Sequence, residues 1–170
     1  MPDTDTLVIN TGPVLALVAA MGNLSLLKHL YRKVIVPLEV HNEILAGGAF
    51  AFGVKEFQES EWLNVRDSVC SPGPILVHSL DIGEAAVIQS AFDFSVNRVC
   101  IDEALGRRVA RLHGLKVTGS LGVILKAIRN GYDIDLSLCI EKMRCQGVWI
   151  SKRTQDKALR MAVNVLDERT

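Results

Sequence analysis

No Pro-, Gly- or Ser-rich tract interrupts this 170-residue chain, and a hydrophobic share of 49% against 22% charged residues excludes extended disorder and fibrous classes. No CxxC pair occurs among Cys70, Cys100, Cys139 and Cys145, and no histidine stands at zinc-finger distance from them, so reduced, partly buried thiols are the default. No basic segment precedes the first apolar run. Asp3 and Asp5 lie there instead, and Pro13 to Met21 is far short of the roughly 20 residues that span a bilayer. A cytoplasmic, soluble protein without a membrane partner is expected, and the length fits a single domain over residues 1–170.

The chain also has no net charge, with 19 Lys and Arg against 19 Asp and Glu. Taken alone, that argues against a polyanionic partner. The balance hides a division: residues 1–97 hold 5 basic and 11 acidic side chains, and residues 98–160 hold 13 and 6. Such asymmetry points to nucleic acid or an acidic partner, unless the two parts neutralise each other in the fold.

What is present is an alternation of strands and helices. Leu7-Val8-Ile9 is a continuous apolar run stopping at Asn10-Thr11-Gly12-Pro13, a strand end entering a helix through Val14 to Ala20. A second helix covers Leu24 to Leu30, Val34 to Val36 is a strand closed by Pro37, and Leu38 to Ala46 is a helix ending at Gly47-Gly48. Between 49 and 80 the pattern suggests a helix around Phe52 to Gln58, a strand at Trp62 to Val65 and a loop through Ser71-Pro72-Gly73-Pro74. Asp81-Ile82-Gly83-Glu84 has capping-box spacing and opens a helix to about Phe92. Then come a strand at Val99 to Ile101, a helix from Glu103 to His113, a strand at Val117, and helices over Ser120 to Asn130, Leu136 to Gln146 and Ser151 to Leu166. The alternation predicts an α/β fold with a mainly parallel central sheet flanked by helices, in which ligands bind along the carboxyl rim of the strands.

The residues expected at that rim are mostly carboxylates. Asn10-Thr11 follow one strand, Asp102-Glu103 follow another, and Glu39, Glu43, Asp81 and Glu84 stand at helix starts. There is no Walker loop, no GxGxxG and no nucleophile elbow. Clustered carboxylates need a cation or shared protons, and hard oxygen ligands suit magnesium or manganese. Metal-assisted phosphodiester hydrolysis is the chemistry this set suggests. Each acid also has a structural reading, as helix cap, first-turn acid or surface glutamate, and His41, His78 and His113 have no paired spacing.

Five blocks in order carry a resemblance: Val8 to Leu17, Val34 to Pro37 with Glu43-Ile44, Leu80 to Ala85, Ile101 to Glu103 with Arg107 to Ala110, and Leu115 to Gly122. Together they resemble the PIN-domain superfamily, within it the VapC-like branch, over about residues 6–160. The resemblance implies a three-layer Rossmann-like fold and a Mg2+- or Mn2+-dependent ribonuclease. It also implies the toxin of a type II toxin–antitoxin pair, with RNA as substrate, a small antitoxin as partner and a homodimer as assembly. Carried over, Asn10, Glu43, Glu84 and Asp102 fill the four acidic positions, with Glu103 competing for the fourth and Asn10, Glu84 and Asp102 as metal ligands. Thr11 matches the hydroxyl residue beside the first acid. Asn10 departs from the pattern, which has aspartate there; an amide oxygen can ligate a cation but brings no charge.

Two functions of different class follow. One is the endoribonuclease, with Thr11, Arg107, Arg108 and Arg111 helping to hold RNA. The other is a catalytically weakened or inactive PIN fold kept as an RNA- or partner-binding module. In the first, reversing Arg107 and Arg108 costs RNA binding, whereas reversing Lys28 and Arg32 does not.

Overall fold

The computed structural model describes residues 5–168. Strands β1 (Thr6–Ile9), β2 (Lys33–Val36), β3 (Asn64–Val65), β4 (Arg98–Cys100) and β5 (Lys116–Thr118) form one sheet in the order β3-β2-β1-β4-β5. All neighbouring pairs are parallel. β1 is central and fully buried, as expected of a strand covered on both faces, which explains why Leu7-Val8-Ile9 reads as an unbroken apolar run.

Ten helices among the described residues complete the layers: α1 (Thr11–Met21), α2 (Ser25–Leu30), α3 (Leu38–Ala46), α4 (Val54–Gln58), α5 (Pro74–Ser79), α6 (Ile82–Asp93), α7 (Ala104–Leu112), α8 (Ser120–Arg129), α9 (Leu136–Cys145) and α10 (Lys152–Asp167). Helices α1, α2, α8, α9 and α10 pack on one another, while α6 packs on β1, β4 and α7. Helix α3 touches both α1 and α6. The result is the three-layer α/β fold expected from the alternation, with a sheet that is wholly rather than mainly parallel.

The differences fall between residues 49 and 80. Pro74 belongs to a helix, not a loop, because proline at N1 gives up only an N–H that has no intrahelical partner there. Helix α4 begins at Val54 rather than Phe52, since Gly53 adopts a left-handed φ of 82° and breaks the chain before it. Strand β3 shrinks to two residues. No helix among the described residues is long and apolar enough to cross a membrane.

The strand order reverses between β1 and β4: the chain winds outward from β1 through β2 to β3, then returns to β1's other side. That reversal opens a crevice beyond the carboxyl ends of β1 and β4. Asn10 follows the first of those ends directly, and Asp102 lies two residues past the second.

Candidate active site

Asn10 is the hinge between β1 and α1. Its backbone N–H donates to Cys100 O at 3.0 Å, extending the β1–β4 ladder by one bond, and its extended φ of −89° makes it the N-cap of α1. Its side chain does not cap. The residue is 6% exposed, and its Oδ1 is buried without a hydrogen-bond partner. A buried acceptor left unpaired costs about 1–3 kcal/mol, so this oxygen calls for a ligand.

Glu43 reaches the same point from α3. Thr11 Oγ1 donates to Glu43 Oε2 at 2.8 Å, which fixes the carboxylate at the start of α1. Gly83, in the first turn of α6, leaves the space between these groups open. A Cβ there would lie 2.8 Å from Glu43 Oε2, 3.2 Å from Asn10 Oδ1 and 3.5 Å from Asp81 Oδ1. Three side-chain oxygens from three elements thus converge on one point.

Asp81 and Glu84 form only half of a capping box. Glu84 N–H donates to Asp81 Oδ1 at 2.7 Å, but Glu84 does not return the bond. Its side chain is 4% exposed, and its Oε1, buried and unpartnered, lies against Gly106 of α7. A Cβ at Gly106 would meet Glu84 Oε1, with Glu84 Cδ at 2.9 Å and Ile101 Cγ2 at 3.0 Å. Burial pushes the Glu84 pKa up to about 7, and the neighbouring charges of Asp81, Glu103 and Glu43 add to it, against a lowering by the Asp81 bond.

Asp102 is held from the far side. Its Oδ1 accepts the Ser120 N–H at the start of α8, 2.8 Å away, so the carboxylate sits on that helix's first turn. Asp102 presents surface to solvent, yet its carboxyl group is crowded by Gly119, Ser120 and Arg107; this desolvation raises its pKa against the lowering by the Ser120 bonds and Arg107. Glu103 is the exposed N-cap of α7, and its charge acts on Glu84. Arg107 is half-buried and donates from Nη1 to Ile101 O at 2.8 Å, bracing the end of β4. Arg108 and Arg111 are exposed on α7.

Every residue singled out for the site therefore lies on α1, α3, α6 or α7 or at the β1–α1 and β4–α7 junctions. Glu39 leads elsewhere: its Oε1 accepts the Cys70 N–H at 2.5 Å, fastening the 66–73 loop near α6. Among the described residues, no three His, Cys, Asp or Glu side chains stand close enough to hold a metal ion between them. Thr11 fastens Glu43 and Ser120 fastens Asp102, each to the start of a different helix. Sequence reasoning missed the supports. A glycine inside α7 costs about 1 kcal/mol relative to alanine, which signals a packing need at Gly106, and Gly119-Ser120 before a helix is a ready carboxylate seat.

A family model described as a PIN domain matches residues 6–164. No curated protein and no solved structure matches the chain significantly.

Proposed function

The chain belongs to the PIN-domain family, a nuclease-type fold, and on that premise we propose that it is a Mg2+- or Mn2+-dependent endoribonuclease working in the crevice between β1 and β4. One observation carries the reading: Asn10 Oδ1 and Glu84 Oε1 are buried acceptors without partners, Asn10 beside Glu43 and Asp81 and Glu84 within reach of both carboxylates' charge. Hard, unpaired oxygens among mutually repelling carboxylates are the donor set a hard divalent cation satisfies.

Glu43, Glu84 and Asp102, with the Asn10 amide, would hold the ion only by closing on it from their present separation; when bound it would supply positive charge to the phosphodiester and a more acidic water. The protein's own residues do the positioning. The Thr11 hydroxyl and the Ser120 N–H orient Glu43 and Asp102, Gly83 and Gly106 leave room for the oxygens, and Arg107 fixes the end of β4. Arg108 and Arg111 can meet phosphates from the exposed side of α7. Glu103, whose charge raises the Glu84 pKa, is the alternative fourth acid.

The finer reading is a toxin of a type II toxin–antitoxin pair, a homodimer silenced by a small antitoxin; it rests on the resemblance of the Asn10 to Val14 start and the Lys116 to Gly122 block. The neutral Asn10 amide favours a second reading, a weakened nuclease retained for binding. Single-stranded RNA incubated with and without MnCl2 tests the proposal: cleavage should require the ion and disappear in Glu43→Gln. Cleavage that survives EDTA refutes it, and no cleavage by either the wild type or Asn10→Asp leaves the binding module as the function.

Gly106→Ala sets two effects against each other. Alanine gains about 1 kcal/mol of helix propensity and loses about 1–3 kcal/mol to overpacking against Glu84 and Ile101. Melting should therefore shift by only a few degrees, roughly 2–4 °C per kcal/mol. The stabilisation that Mn2+ gives the wild type should nevertheless vanish, because Glu84 is pushed from its slot; scanning calorimetry with and without Mn2+ reads both quantities.

A further inference from the structure

Basic side chains collect at the end of the sheet opposite the carboxylates. Helices of a parallel α/β layer run back against the strands, so the last turns of α2 and α8 lie at the strands' amino ends. Lys33 opens β2, Arg98 opens β4, and Lys116 opens β5 in register with Arg98. Lys126 and Arg129 occupy the last turn of α8. Lys126 Nζ donates to Leu30 O at 3.2 Å and sits 3.9 Å over the Tyr31 ring, and burial, then Arg98, push its pKa down. Beside them the exposed rings of His29 and Tyr132 stack, 6.2 Å between centroids and 22° between planes.

The counter-charges do not neutralise this rim. Asp5 acts on Lys126, Asp133 follows Tyr132, and Arg32 has a partner of its own. None of Lys33, Arg98, Lys116, Lys126 and Arg129 forms an ion pair with a carboxylate among the described residues, and Arg98 Nε is buried without a partner. Helix dipoles explain Lys126 and Arg129, and an edge lysine that blocks sheet extension explains Lys116 on β5. Lys33 and Arg98 have neither reason, since β2 and β4 are interior strands. Unpaired cations interleaved with an exposed aromatic stack are the footprint of a single-stranded nucleic-acid surface.

We propose that this amino rim is a second RNA-binding surface, in which phosphates of a single strand lie along Lys33, Arg98, Lys116 and Arg129 while a base stacks on Tyr132 and His29. The choice of RNA rests on the nuclease reading. Lys28, in the last turn of α2 next to His29, then belongs to an RNA surface, contrary to the sequence-based expectation that reversing it costs nothing.

Fluorescence anisotropy with a single-stranded RNA oligonucleotide in EDTA tests the surface apart from cleavage. The exposed triple variant Lys33→Glu, Lys116→Glu, Arg129→Glu should bind at least about tenfold more weakly, with its log–log salt slope reduced by about 2, at roughly 0.7 per phosphate contact. Tyr132→Ala should weaken binding at least about fivefold with the slope unchanged. Circular dichroism checks that both fold. Less than a twofold effect of the triple variant overturns the proposal, as does no RNA binding by the wild type or tighter binding of duplex than of single strand. If these binding effects appear and no variant ever cleaves, the nuclease reading fails and the rim stands; if Mn2+-dependent cleavage appears without them, the reverse holds.

Discussion

Glu84→Gln is expected to lower RNA cleavage on the order of 10³-fold, the several kcal/mol a metal ligand commands, while making the metal-free protein more stable at pH 8. The two effects share one cause. Burial and three acidic neighbours raise the Glu84 pKa from 4.5 to about 7. A carboxyl whose folded pKa lies above its unfolded value contributes stability that is complete below about pH 4.5 and is lost as pH rises through about 7. At pH 8 the charge costs on the order of 2–3 kcal/mol, and a neutral glutamine of the same shape escapes it. Melting should rise by roughly 4–10 °C at pH 8 and by nothing at pH 4.5, where both side chains are neutral. Equal stabilisation at both pH values would refute this account. Near pH 7 the same pKa makes cation binding displace a proton, so the calorimetric enthalpy of Mn2+ binding to the wild type should vary with the buffer's ionisation enthalpy.

Asn10→Asp should act in the opposite direction. It replaces an unpaired amide oxygen with a charged one at the point where Glu43, Asp81 and Gly83 meet. Ligand charge count tunes affinity for hard cations, so Mn2+ should bind on the order of 10–100-fold tighter, and cleavage at limiting ion should rise in proportion. Without metal, the added charge has no partner; the Glu84 pKa should climb further, and the protein should melt lower at pH 8 than the wild type. Saturating Mn2+ should reverse the order of the two melting temperatures. Isothermal titration and melting curves on the pair decide it, and unchanged affinity would mean that Asn10 lies outside any metal site.

Much of this site was legible because strand ends and helix starts have strong local signatures. Asn10-Thr11 and Asp102-Glu103 follow continuous apolar strands, and the parallel topology sends both to one rim. Glu84 was legible as a cap residue but not as a buried acid, because its burial depends on Gly106, which follows it in sequence by a strand and part of a helix. The seating of Asp102 on the Ser120 N–H is equally non-local. Helix α5 was missed because, of its apolar run Ile75-Leu76-Val77, only Leu76 is buried. The charge asymmetry along the chain was plain, yet only the fold sends Glu43, Asp81, Glu84 and Asp102 to the carboxyl rim and Lys33, Arg98, Lys116 and Arg129 to the amino rim.

The pairing of β1 with β4 also orders events in time. Val8 aligns with Val99, and the Asn10 N–H closes on Cys100 O, so the carboxyl end of β1 waits for a strand made much later. Asp102 gains its seat only when Ser120 arrives. A nascent chain shorter than that carries Asn10, Thr11 and Glu43 but no assembled crevice. Synthesis past α8 is the moment at which this crevice can first close, and such long-range closure is intrinsically slow in a parallel sheet.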